Sequence, residues 1–263
     1  MINENKANGN IKISGSGTAG GGVYEEVKIS GSGKITGDVE CNEFHISGSG
    51  KVEGNVKAEE FHSSGSSRVD GKLIANEIHV SGSSNIGGGV ECTDISVSGS
   101  IQISGGMKGK DIGVSGSANV DGDVIGEDIS ISGGLNIKGD CEAEDFSARG
   151  SFKIDGLLNA DNIEIKTGGF CTVREIGGEN IEVREGGVGG FINKLISMFS
   201  SNNAGLQCDI IEGNDIYLEY TTAKIVRGNN VTIGKGCVID TVEFKEDIVI
   251  KEDGKVANQV KTN

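Results

Sequence analysis

The chain has 263 residues, with 39 Asp or Glu against 24 Lys or Arg, a formal net charge of -15, 45 glycines and no proline. A sequence-independent nucleic-acid binder needs a basic stripe, and the sequence has none. Periodic Ile and Val exclude a flexible linker or a disordered tract, and glycine does not recur at every third position as collagen requires.

Residues 1–10 are polar and hold no apolar run of a secretory signal, so they read as a polar N-terminal tail. A repeat begins at Ile11 and restarts at Val27, Phe44, Phe61, Ile78, Ile95, Ile112, Ile129, Phe146 and Ile163, every seventeen residues from Val27 onward. A fixed period of this length marks stacked supersecondary units. In the Phe44 unit the apolar residues Phe44, Ile46, Val52, Val56 and Ala58 fall at alternate positions. Alternation predicts strands, and the period leaves room for three of about four to five residues.

The breaks between strands are chemically marked. Glycine stands at the fifth position, as in Gly48, Gly65 and Gly82, and at the eleventh, as in Gly54, Gly71 and Gly88. Glycine serves where the chain turns with positive φ or presses on a neighbouring backbone. The third break carries acids or amides, as in Glu59-Glu60, Glu144-Asp145 and Asp161-Asn162. Three strands and three corners describe one coil of a triangular parallel β-helix, an all-β solenoid. The absence of proline fits, because every coil can donate its full set of hydrogen bonds to the next. Aromatic residues at 4% fit a narrow interior.

All three histidines, His45, His62 and His79, occupy the second position of successive coils, which predicts an outward ladder. Parallel imidazoles do not converge on one ion as tetrahedral ligands must, so no metal site is assigned. Cys41 and Cys92 share an inward position three coils apart, roughly 14 Å at ~4.8 Å per coil, beyond disulfide reach. With Cys141 and Cys171 they read as buried structural thiols in a reducing compartment.

Past Ile163 the rhythm loosens. A coil starts at Ile181, the next at Ile216 and a last at Val231, so one coil carries an insertion over 186–205. On a helical wheel Phe191, Ile192, Leu195, Ile196, Met198 and Phe199 fall together, opposite Asn193, Lys194, Ser197 and Ser200, which predicts a short amphipathic helix. Too short to stand alone in water, it must dock. The alternatives are a lid on its own coils or a neighbouring protomer, and a membrane-surface anchor for which Lys194 is the only cation. Val242 to Ile250 closes the solenoid, and 251–263 reads as a polar C-terminal tail. The repeat thus predicts one elongated domain over 11–250, about thirteen coils and roughly 60 Å long.

Enzyme signatures are absent: the period fits neither a hexapeptide acyltransferase helix nor a calcium nonapeptide repeat, and charges recur as columns rather than converging. No catalytic residue and no cofactor is assigned. No run of eighteen apolar residues spans a membrane.

The stretch Ile-Ser-Gly-Ser-Gly-Lys-Ile-Thr-Gly-Asp-Val-Glu-Cys from Ile29 to Cys41, echoed through Ala160, resembles the bactofilins, and the resemblance covers roughly residues 11–180. It implies a right-handed triangular β-helix that forms filaments end to end without nucleotide. It also implies a bacterial cytoskeletal scaffold for cell-shape and envelope factors, often membrane-associated. The bare physics points the same way, because a solenoid end exposes apolar cross-section and unpaired strand edges. The expected self-contacts are Ile11, Ile13 and Val23 at one end and Val242, Phe244, Ile248 and Ile250 at the other. The expected partners are other copies, with a membrane surface or envelope protein at the helical insertion, in the cytoplasm or at the inner face of its membrane. An exported adhesin or carbohydrate-binding β-helix is the alternative.

Overall fold

The computed structural model describes residues 9–186, 205–251 and 253–263. The chain divides into two compact units, Met1–Ile125 and Gly126–Asn263. Both are stacks of parallel strands, together about fourteen solenoid turns. Among the described residues there is no helix; of the expected helical insertion over 186–205, residues 187–204 lie outside them, and Gly205 opens the strand Gly205–Leu218.

Within the first unit, from the Phe44 coil onward, each coil lies on the previous one through three short in-register ladders. For the Phe44 and Phe61 coils these run Phe44↔Phe61 to Ile46↔Ser63, Ser49↔Ser66 to Val52↔Val69, and Val56↔Leu73 to Ala58↔Ala75. The alternating apolar residues all point inward: Phe44, Val52, Val56 and Phe61 are fully buried. Rings pack directly on rings, with the Phe44 and Phe61 centroids 5.5 Å apart. Inward residues are therefore covered above and below by their own repeat partners, which is why the period and the core are one pattern.

The corners explain the glycines and the acids. At the first corner two successive amides, Ser64 and Gly65, donate to the single carbonyl of Ile46 at 2.9 and 3.2 Å. The same pairing one coil on, Ser81 and Gly82 to the carbonyl of Ser63 at 2.9 and 3.1 Å, brings Gly82 so close to Gly65 O that an added Cβ would overlap it. Close approach, not a left-handed backbone, demands glycine there: the described positive-φ glycines are Gly9, Gly22, Gly37 and Gly236. At the second corner a side chain caps the next rung, with Asn55 N donating to Asp38 Oδ1 at 2.7 Å and Lys72 N to Asn55 Oδ1 at 2.9 Å. At the third, the chain turns inside one continuous strand, Val56–Ser63, where Glu59 and Glu60 are both exposed between buried neighbours.

The second unit keeps the ladders but varies the corners. Its coil from Leu206 to Thr221 takes fifteen residues. Tyr220 tightens that corner with a φ of 46°, an uncommon conformation for a bulky residue. The strand Lys255–Lys261 pairs in parallel with Val238–Ile250, so the ladder continues into the stretch read from sequence as a polar tail. Its side chains are mostly exposed because it covers the end of the stack on one face only.

Candidate functional site

Three surfaces carry chemistry beyond packing. The first is a column of acids at the third corner of the first unit. Glu26, Glu43, Glu60, Glu77, Asp94 and Asp111 lie in register on successive coils. Two residues further along each strand stand Lys28, His45, His62, His79, Ser96 and Gly113. The imidazoles stack, with centroids 4.9 Å apart from His45 to His62 and 4.8 Å from His62 to His79. Each Nε2 also faces the carboxylate of its own strand, at 3.1 Å for Glu43, 3.3 Å for Glu60 and 3.7 Å for Glu77. Like charges directly opposite one another destabilise a sheet. At Asp94 partial burial, then the hydrogen bond to Asp111 and the neighbouring charges of Asp111 and Glu77, hold the carboxyl above its ordinary range.

At the equivalent repeat position of the second unit the problem is solved with amides. The order there is Asp128, Asp145, Asn162, Asn180, Asp215, Asn230 and Asp247. Asn162 Nδ2 donates to Asp145 Oδ1 at 2.9 Å, Asn180 Nδ2 to Asn162 Oδ1 at 2.9 Å, and Asn230 Nδ2 to Asp215 Oδ1 at 2.8 Å.

The second surface is the pair of end coils. Ile11 and Ile13 pair with Val27 and Ile29. They are half-buried, whereas those partners are fully buried. Val23 does not join them: a bulge between Gly20 and Gly22 puts it in register with Glu40, on an outward row, and not with inward Val39. At the other end Val242 is 0% exposed because it pairs with Gln259 of the last strand, and Phe244 is half-buried beside Lys261, whose Nζ is 5.9 Å from the ring. Pairing with the last strand ends at Phe244, so Ile248 is half-buried while Val249 and Ile250 are each 39% exposed.

The third surface is a groove of about 510 Å³ in the second unit, lined in part by Gly178, Gly213 and Gly228. These replace the buried Ala160 at the same inward position, so the wall sinks. Arg227 in its rim is held by Glu243 at 2.7 Å and reaches Glu212 at 3.7 Å, so its charge is already neutralised. The docking residues Phe191, Ile192, Leu195, Ile196, Met198 and Phe199 lie outside the described residues.

Sequence reasoning missed the clamp on Tyr217. Arg184 lies 4.3 Å from the Tyr217 ring centroid and Lys251 Nζ 5.5 Å, while its hydroxyl donates to Glu219 at 2.8 Å. The signal was available only in register, since Tyr217 pairs with Glu182 thirty-five residues away, across the insertion. All six cysteines are free, five of them buried and Cys92 half-buried.

Fold and surfaces together define a parallel β-solenoid repeat protein whose distinctive features lie in its columns and its ends. In sequence the chain is 39% identical over 90 residues to the uncharacterized protein YhbF of Bacillus subtilis (strain 168), covering 34% of each chain. It is 37% identical over 108 residues to the uncharacterized protein YhbE of the same organism, covering 40% of this chain and 43% of YhbE. The matched stretch is thus less than half the length of either relative. No family model matches the chain, and no solved structure does.

Proposed function

We propose that the protein is a self-polymerising structural scaffold of the bactofilin type, assembling end to end without nucleotide. The observation that carries this reading is the state of the end coils. Ile11 and Ile13 lack the full cover that every interior coil receives, and Val249 and Ile250 remain 39% exposed on a strand edge. An edge of this kind presents unpaired N–H and C=O groups beside apolar side chains, and another copy can satisfy both at once. Fully burying an aliphatic side chain contributes roughly 1.5–3 kcal/mol, so a few such contacts suffice for weak, cumulative association.

In this reading the principal partner is another copy, and a membrane surface or envelope protein is a second partner for the segment 186–205. The function needs no catalytic centre or cofactor. Six free thiols support a reducing location such as the cytoplasm, including the inner face of its membrane. No helix among the described residues is long and apolar enough to cross a membrane.

The test is sedimentation of purified protein without nucleotide, comparing the parent with Ile250→Glu and with Ile13→Glu. The parent should pellet and both variants stay in the supernatant with unchanged β-sheet circular dichroism. If folded variants pellet like the parent, the end coils are not the contact.

A further inference from the structure

We propose that the acid–histidine face of the first unit binds divalent ions of the zinc class, first at Glu26, Glu43 and His45. One ligand atom from each of these three side chains lies within 4.8 Å of the others. Imidazole nitrogen with carboxylate oxygen is a donor set that zinc, nickel and copper accept, whereas calcium and magnesium select oxygen alone.

The distances fit coordination as well as hydrogen bonding. In a tetrahedral site with bonds of about 2.0–2.1 Å, two ligand atoms stand roughly 3.3 Å apart. His45 Nε2 and Glu43 Oε2 are 3.1 Å apart, and the pairs Glu60/His62 and Glu77/His79 repeat the edge at 3.3 and 3.7 Å. The stacked imidazoles cannot share one ion, but each stands with its own carboxylate and has the carboxylate of the preceding coil one rung away. Only the first rung brings three such ligand atoms together among the described residues, while His62 and His79 each face a single carboxylate, so Glu26, Glu43 and His45 are the primary site, completed by water.

Electrostatics supplies the driving force. Six carboxylates lie in register here, where the equivalent positions of the second unit interleave amides. Lys28 stands 3.8 Å from Glu26 at one end of the column, and Lys110 lowers the cost at Asp94 towards the other. Between them the three rungs offer imidazoles, which bind a metal in their neutral form. Asn10 Nδ2 donates to Glu26 Oε2 at 3.3 Å and Lys28 faces Glu26 Oε1, so an ion at the first site must displace one of them. The histidine side chains are 29, 34 and 46% exposed, open to an ion from solvent.

The test uses the untagged full chain and zinc chloride in a non-chelating buffer near neutral pH, followed by calorimetry and by the imidazole signals in NMR spectra. Saturable binding should appear with zinc and be missing with magnesium. His45→Gln removes a ligand and should weaken the first site by at least the roughly tenfold that loss of an outer-shell partner costs, and His45→Gln with His62→Gln and His79→Gln should abolish the remaining saturable binding to this face. Binding unchanged in the triple variant, or no saturable binding by the parent, would overturn the proposal. Should the triple variant fail to fold, the parent decides: imidazole signals that shift with zinc sustain the site, and unmoved signals reject it.

Discussion

Asn162 Nδ2 donates to Asp145 Oδ1 at 2.9 Å, one coil below, at the same corner where Glu43 meets Glu60 in the other unit. An amide has both a donor and an acceptor and so can link rungs in both directions, whereas a carboxylate at neutral pH only accepts. The two units thus treat one repeat position in opposite ways, and the difference is measurable.

Asp94→Asn should raise the unfolding midpoint at neutral pH. The folded carboxyl titrates above its ordinary value, through partial burial and then the hydrogen bond to Asp111. A raised pKa contributes stability below the unfolded value, about 3.9, and that contribution is lost as pH rises through the folded value. The gain from the substitution should therefore be largest near neutrality and fade in acid. Asn162→Asp should do the reverse, destabilising the second unit by about 1 kcal/mol near neutral pH. Denaturant melts of both variants across pH check the signs.

Gly82→Ala should be strongly destabilising, by roughly 3 kcal/mol, because its Cβ would overlap the carbonyl oxygen of Gly65, which is backbone and cannot swing away. Gly134→Ala is the control: nothing lies within 4 Å of a Cβ there. It should be neutral or gain up to about 1 kcal/mol through the unfolded state. Equal melts for the two variants would count against close coil approach as the reason for the glycines.

The period made most of this legible. Seventeen-residue spacing and alternation located the inward column from Val27 through Phe44 to Ile78, because in a parallel stack each inward residue repeats at the same place. What stayed hidden depends on register and reach. The bulge at Gly20 and Gly22 moves Val23 to the outward row, and a one-residue slip changes the face without changing composition. The strand Lys255–Lys261 carries too few apolar residues to alternate visibly, since it packs on one side only. The pairing of each histidine with Glu43, Glu60 or Glu77 spans two residues on one face. It was present in the sequence as a repeated Glu-x-His, unread beside the ladder itself.

The thiols should be inert in the native state. Burial pushes Cys141 up to about 12, and burial followed by Asp94 does the same for Cys92. A disulfide reagent at mildly alkaline pH should modify none of the six quickly in the folded protein and all of them in denaturant. Rapid reaction of Cys141 in native protein would contradict its buried, protonated state.

The central claim is self-assembly through the end coils, and negative-stain electron microscopy of the purified chain without nucleotide tests it most directly. The account predicts filaments for the parent and dispersed particles for Ile250→Glu. Dispersed particles for the parent over the same concentrations, or filaments identical in both, would contradict it.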